Sequence, residues 1–354
     1  MPGRSATIPR LLLKRGVYLL FLLLFLGIVD KVYGSYLGVT FNPYDLRGMD
    51  EPPEFMHWPI PYQVRTSQQG SLLLPPHQIV LNSEGVRGSN FTLQKLPTTQ
   101  RILVLGDSFT FNEALRLEET YPALLAGLLQ DRTGTPVDVL NYGVNGYNTR
   151  MEVEFFKARG LKYRPDLVVL QVFENDWESS WDSYRNEEPT ARYYLAFLVN
   201  QFAYHGLQGK SHLLNHLNYL LITRMVTHRL LEEQQALGPE GVWNRIREPF
   251  QELKRLADEQ QFTLVVFSAG DNLYRTREDW SFDFPLNDLL KDFALQEGMI
   301  FVEMSPVLAR YPLEQTKLSV TYDAHWSPFA NRIVAEELAD TLLRFGLVGA
   351  DSSG

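Results

Sequence analysis

The chain has 354 residues, a net charge of −9, and is 45% hydrophobic and 21% charged, which suits one large globular domain or one domain with an appended region. No extended basic run lies beyond the N-terminus, which argues against nucleic-acid binding. The absence of cysteine excludes disulfides, Cys-ligated zinc, a thiol nucleophile and a lipid-modified N-terminal cysteine.

The first forty residues read as an export signal. Arg4, Arg10, Lys14 and Arg15 precede an apolar run from Gly16 to Val29 that ends at Asp30. A positive flank followed by hydrocarbon predicts the N-terminus in the cytoplasm and the remainder outside it. The run is shorter than the roughly twenty residues a span needs, but Lys14 and Arg15 can snorkel and draw Leu11 to Leu13 into the span. Residues 1–35 are therefore read as an N-terminal membrane helix, an uncleaved anchor. Val32-Tyr33-Gly34 offers a cleavage site for the alternative, a secreted protein. The expected location is the membrane, facing the periplasm or cell exterior.

Residues 36–98 are rich in Pro, Gly and polar residues. Asn42-Pro43, Glu51-Pro52-Pro53, Trp58-Pro59-Ile60-Pro61 and Leu74-Pro75-Pro76 keep the chain extended or turning. This stretch is read as a lead that packs on the main domain, with short strands near Gln78 to Leu81.

From residue 99 to 347 strands and helices alternate. The expected strands are Ile102–Leu105, Val137–Asn141, Leu167–Phe173, Thr263–Ser268 and Ile300–Glu303. The expected helices are Glu118–Gln130, Thr149–Arg159, Ile246–Gln260, Leu286–Gln296 and Ser327–Phe345. Short apolar strands between helices predict an α/β fold with a parallel sheet covered on both faces. An insertion at about 177–240 interrupts this rhythm, aromatic at its start and helical in its second half. An insertion of that size after a strand end reads either as a lid or as a structural subdomain.

Chemistry-bearing residues gather at strand ends. Gly106-Asp107-Ser108 follows the first strand, and Gly106 lets the backbone turn so that Ser108 sits at the carboxyl end of the sheet. Asn141-Tyr142-Gly143 follows the second strand and Glu174-Asn175-Asp176 the third. Tyr322-Asp323-Ala324-His325-Trp326 precedes a helix that Ser327 can cap and Pro328 can open. Acyl transfer through serine needs a nucleophile, a base, a group that orients the base, and oxyanion donors. Ser108, His325 and Asp323 supply the first three. The Ser108 and Gly143 backbone N–H groups and the Asn175 side-chain amide supply the oxyanion hole. Asp107 is read as structural, its carboxylate holding the turn through backbone N–H bonds.

That combination resembles the SGNH (GDSL-like) hydrolase superfamily over about residues 80 to 345. Gly106-Asp107-Ser108 matches the first block, Gly143 the second, Asn175-Asp176 the third and Asp323/His325 the last. Asn82-Ser83-Glu84-Gly85-Val86-Arg87-Gly88 looks like the lead-in of membrane-anchored bacterial members. The resemblance implies a flavodoxin-like three-layer α/β/α sandwich, serine catalysis without metal or other cofactor, and esterase, lipase or carbohydrate-acyl activity. Two departures stand out. Phe173 occupies the usual glycine position of the third block, and Asp323 lies two rather than three residues before His325. The Asp-x-His-Trp block resembles the alginate-type O-acetyltransferase branch.

The expected function is an extracytoplasmic serine esterase acting on an O-acylated small molecule or carbohydrate. The alternative is an O-acetyltransferase for an envelope or secreted polysaccharide, supplied by a membrane acyl-donor partner. A non-catalytic glycan-binding or scaffold protein is the rival from another class. Trp177, Trp181 and Trp326 are read equally as sugar-stacking or core aromatics. His212 and His216, with His205 and His228 nearby, have a zinc-compatible spacing, but no Glu follows His212 and an amphipathic lid helix is the preferred reading.

Overall fold

The computed structural model describes residues 18, 21–29, 64–66, 77–173, 175–177, 212–269, 286–319 and 323–349; at 64–66, 212–232, 319, 323 and 324 this is the backbone alone. Val64–Thr66 (β1) pairs antiparallel with Gln78–Val80 (β2). Five strands form the central sheet: Gln100–Gly106 (β3), Val137–Gly143 (β4), Leu167–Val172 (β5), Thr263–Ser268 (β6) and Ile300–Glu303 (β7). Their order is β4-β3-β5-β6-β7 and every pairing is parallel. Counted from β3 this is the 2-1-3-4-5 arrangement of flavodoxin-like sheets, so the switch point where ligands bind lies beside the end of β3.

The strands are apolar on both sides because both sides are covered. Ile102 and Val104 belong to a buried cluster with Tyr121, Leu125 and Leu129 of the helix Tyr121–Thr133 and Val334, Leu338 and Leu342 of the helix Pro328–Arg344. Leu103 and Leu105, alternating with them, are also fully buried. Asn148 caps the helix Thr149–Phe155 by accepting the Met151 N–H at 3.1 Å. The α-helix expected to reach Arg159 gives way to a π-turn over Phe156–Gly160, where a Cβ on Gly160 would lie 2.6 Å from the Phe156 ring and 3.1 Å from Leu103.

Three further departures from the sequence expectations have local causes. A one-turn helix, Ser108–Phe111, begins at the serine itself, ahead of the helical pattern expected from about Glu118; its C-cap is Asn112 at φ 42°. Asp323–Trp326 (β9) is a strand paired antiparallel with Lys317–Ser319 (β8), too short for periodicity to reveal. The helix expected from Ile246 begins earlier: helical backbone runs over His212–Gln260, taking in the second half of the insertion, itself read as helical, and breaks at Gly238 (φ 64°, ψ 174°), which Pro239 follows.

Of the expected N-terminal membrane helix, residues 21–29 are helical, with Phe21, Leu23, Phe25 and Ile28 exposed. Among the described residues no helix is long and apolar enough to cross a membrane.

Candidate active site

Ser108 is the first residue of its helix, carried on the turn that leaves β3 at the switch point. Gly106 is required there for space. A Cβ on it would overlap Thr110 Oγ1 and lie 2.5 Å from Gln171 Oε1. Gly143, opposite it in register on β4, has the same constraint, with 2.6 Å to the Phe111 backbone nitrogen.

His325 comes from β9, 217 residues along the chain, and its Nε2 lies 2.7 Å from Ser108 Oγ. That is hydrogen-bond distance for a base taking a hydroxyl proton. Both residues are partly exposed, whereas Phe109, Phe173 and Trp326 are buried. Phe109 holds the imidazole from one side, its ring centroid 5.0 Å away. Trp326 packs against Phe109, Tyr121 and Phe267, so it and the buried Trp177 are core aromatics rather than sugar platforms. Ser327 caps the following helix through the Ala330 N–H, as expected. Trp181 and His205 lie outside the described residues, as do the side chains of Asp323, His212, His216 and His228.

Asp107 plays its expected structural part: Oδ1 accepts the Phe109 N–H at 2.8 Å. Burial pushes this carboxyl up to about 6, against the pull of the Phe109 amide and of charge on His325. Above that value an ionised Asp107 stabilises an imidazolium at His325, a contribution that spacing alone does not suggest.

The three expected oxyanion donors are placed differently. The Ser108 N–H is the first amide of a helix, where no intrahelical acceptor exists. Asn175 stands on the turn after β5, partly exposed, and its Oδ1 is buried without a partner. The Gly143 N–H is already donated to Asn141 Oδ1 at 2.9 Å, so it reaches an oxyanion only by sharing or releasing that bond.

Two buried polar residues beneath the site were missed. Gln171, inside β5, accepts the Asp107 N–H and the Thr110 hydroxyl. Glu152, on the first turn of Thr149–Phe155, is fully buried and neither carboxyl oxygen has a hydrogen-bond partner. Three residues earlier, Thr149 donates to Asp176 Oδ2 at 2.8 Å. Burial first, then the nearby Asp176 and Asp107, push the Glu152 carboxyl well above its ordinary 4.5. A group that keeps its proton in the folded chain but loses it in the unfolded one costs stability as pH rises past its unfolded value. Glu152→Gln is therefore expected to gain on the wild type by up to about 1.4 kcal/mol per pH unit above roughly pH 4.5. Thermal melts from pH 5 to 8 check this; parallel curves would mean that Glu152 is ionised in the folded protein.

The site is thus a serine–histidine pair at the switch point of an open parallel α/β sheet. The chain belongs to the GDSL-like Lipase/Acylhydrolase family, whose family model matches residues 104–333 and so spans Ser108, Gly143, Asn175 and His325. It is a GDSL-type hydrolase of ester bonds.

Solved structures similar to it include a lipolytic protein of the G-D-S-L family from Veillonella parvula, 10% identical over 69% of this chain and 99% of that one, with a TM-score of 0.43. Another is a G-D-S-L lipolytic protein from Desulfitobacterium hafniense, 13% identical over 69% and 99%, TM-score 0.41. A catalytic mutant of an acetylxylan esterase from Geobacillus stearothermophilus is 14% identical over 70% and 95%, TM-score 0.42. No curated protein matches the sequence.

Proposed function

We propose that this protein is a membrane-tethered, extracytoplasmic serine esterase that removes an acyl group from an O-acylated carbohydrate or small molecule. The observation that carries the mechanism is the 2.7 Å approach of His325 Nε2 to Ser108 Oγ. His325 takes the hydroxyl proton as Ser108 Oγ attacks the acyl carbonyl, and gives that proton to the departing alcohol oxygen. Water, deprotonated by the same imidazole, then attacks the acyl-enzyme; the carboxylic acid leaves and Ser108 regains its proton.

Asp323 is the proposed orienting group. Asp323 stands two residues before His325 on β9. The Ser108 amide and the Asn175 side chain receive the oxyanion, joined by Gly143 once its amide turns from Asn141. Asn175→Ala is expected to lower kcat about 10²–10³-fold with little change in KM. Steady-state kinetics on a nitrophenyl ester check it, and unchanged turnover would remove Asn175 from the oxyanion site.

The cationic flank at Arg4, Arg10, Lys14 and Arg15 and the exposed apolar helix over 21–29 support the tether. The reaction itself is tested by presenting the full chain in detergent with acetylated oligosaccharide and an unacetylated acceptor. Acetate released to water, with no acetyl gained by the acceptor, is the expected result. Transfer to the acceptor would instead identify an O-acetyltransferase, and binding without either would identify a glycan-binding protein.

A further inference from the structure

Gln171 is the lone polar side chain of β5, and it is fully buried between two covered faces of the sheet. Burying an amide among apolar strands is unfavourable unless its polar atoms are used. Its Oε1 is used twice: it accepts the Asp107 N–H at 3.2 Å and the Thr110 hydroxyl at 2.8 Å. Thr110 Oγ1 lies in turn 2.7 Å from the Tyr121 hydroxyl. One oxygen thus ties together both flanks of Ser108, the residue before it and the residue two after it.

The surrounding geometry leaves this oxygen no freedom. Gly106 must lack a Cβ because that atom would lie 2.5 Å from Gln171 Oε1. The other end of the amide, Nε2, is buried without an acceptor. A site that tolerates an orphaned amide to keep the oxygen in place is holding a geometry. Gln171 also lies on the strand whose turn carries Asn175, four residues on, so the same strand supports both the nucleophile and an oxyanion donor.

We propose that Gln171 is a positioning residue: by accepting from both flanks of Ser108 it fixes the hydroxyl in line with His325 and with the oxyanion donors. The inference rests on the serine mechanism proposed above. It predicts a kinetic defect at the chemical step, since Gln171 is fully buried and acts through the residues flanking Ser108.

The test measures the rate of covalent labelling of Ser108 by a fluorophosphonate in the full chain. Wild type, Ser108→Ala, Gln171→Met and Gln171→Glu are compared per folded molecule, folding being measured by circular dichroism. Gln171→Met nearly conserves volume but removes the acceptor. It is expected to label at least tenfold more slowly and to lose kcat on a nitrophenyl ester while KM stays near the wild-type value. Gln171→Glu keeps an acceptor oxygen in place. It is expected to label faster than Gln171→Met near pH 6, then to fall away from the wild type as pH rises. An ionised carboxyl there faces Asp107 on the β3 turn, with His325 on β9 and the Tyr121 hydroxyl on the adjoining helix.

Folded Gln171→Met that labels at the wild-type rate would overturn the proposal. If Gln171→Met does not fold, Thr110→Val, which removes one of the two donors to Gln171 Oε1 at nearly constant volume, takes its place, and folded Thr110→Val that labels at the wild-type rate would overturn the proposal instead. Wild type that labels no better than Ser108→Ala would be a different failure, that of the serine mechanism itself.

Discussion

Ser108→Ala is expected to lower ester hydrolysis by on the order of 10⁴–10⁶ in kcat while leaving the fold intact. The side chain removed is one hydroxyl, partly exposed and hydrogen-bonded to the partly exposed His325 Nε2, so its loss orphans no buried group. The Ser108 amide and the Ser108 carbonyl, which accepts the Asn112 N–H at 2.8 Å, are backbone groups and stay. Stability should therefore move by no more than about 0.5 kcal/mol. Residual rate above water would measure what binding and the oxyanion donors contribute without a nucleophile. Kinetics on an activated ester with parallel thermal melts check both halves. A variant that keeps a tenth or more of wild-type turnover would place the nucleophile elsewhere.

The second large effect comes from adding one methyl group. Gly106→Ala and Gly143→Ala each drive a Cβ into the Ser108 helix. At Gly106 it meets Thr110 Oγ1 and Gln171 Oε1, which are hydrogen-bonded to each other and buried. At Gly143 it meets the Phe111 amide nitrogen, which donates to the Asp107 carbonyl. Thr110 is held by its Cβ, 2.8 Å from the added atom at Gly106, and the Phe111 nitrogen is backbone, so the backbone must give way. Overpacking of this kind costs about 1–3 kcal/mol or more. Displacing the nucleophile by an ångström costs on the order of 10² in rate. Gly127 is the control: it lies on the exposed side of the helix Tyr121–Thr133 with nothing within 4 Å. Gly127→Ala is expected to raise stability by about 0.5–1 kcal/mol and leave activity unchanged. Thermal melts and kinetics of the three variants check this, and a Gly106→Ala protein as stable and active as the wild type would contradict it.

The sheet was legible because its strands are short apolar runs bounded by turns. Thr263–Ser268, Ile300–Glu303 and the helix Leu286–Gln296 fall at the bounds the sequence suggests. Ser108 and His325 were legible for a different reason: each follows a strand or precedes a capped helix, so its end of the sheet could be placed. The one-turn helix at Ser108 and the β8–β9 hairpin were not legible, since four residues carry no period. Their geometry comes from tertiary bonds such as Asn112 Nδ2 donating to the Trp326 carbonyl at 3.1 Å.

The amide of Gly143 shows a subtler limit. Sequence placed the residue beside Ser108, but only the folded backbone reveals that Asn141, two residues earlier, already accepts its N–H. Gln171 and Glu152 were missed although a signal existed for the first. A single glutamine inside the apolar run Leu167–Val172 already marks a buried polar side chain, and such residues need partners. Glu152 gave no such signal, because its helix alternates apolar and acidic residues from Met151 to Phe155 and a solvated face would look the same.

Arg87 adds a connection that spacing could not supply. Its buried guanidinium donates to the carbonyls of Phe111, Asn112 and Leu115, tying the turn at Asn82–Gly88 to the end of the Ser108 helix. The Phe111 carbonyl is one of the groups a helix end leaves without an intrahelical donor, and a planar fork reaches it and its neighbours at once.

The serine mechanism is tested most directly by treating the full chain with a fluorophosphonate and locating the adduct by peptide mass spectrometry. A single adduct is expected, on Ser108, formed at least a hundredfold more slowly in His325→Ala. Folded wild-type protein that carries no adduct, or carries it on another residue, would contradict the mechanism.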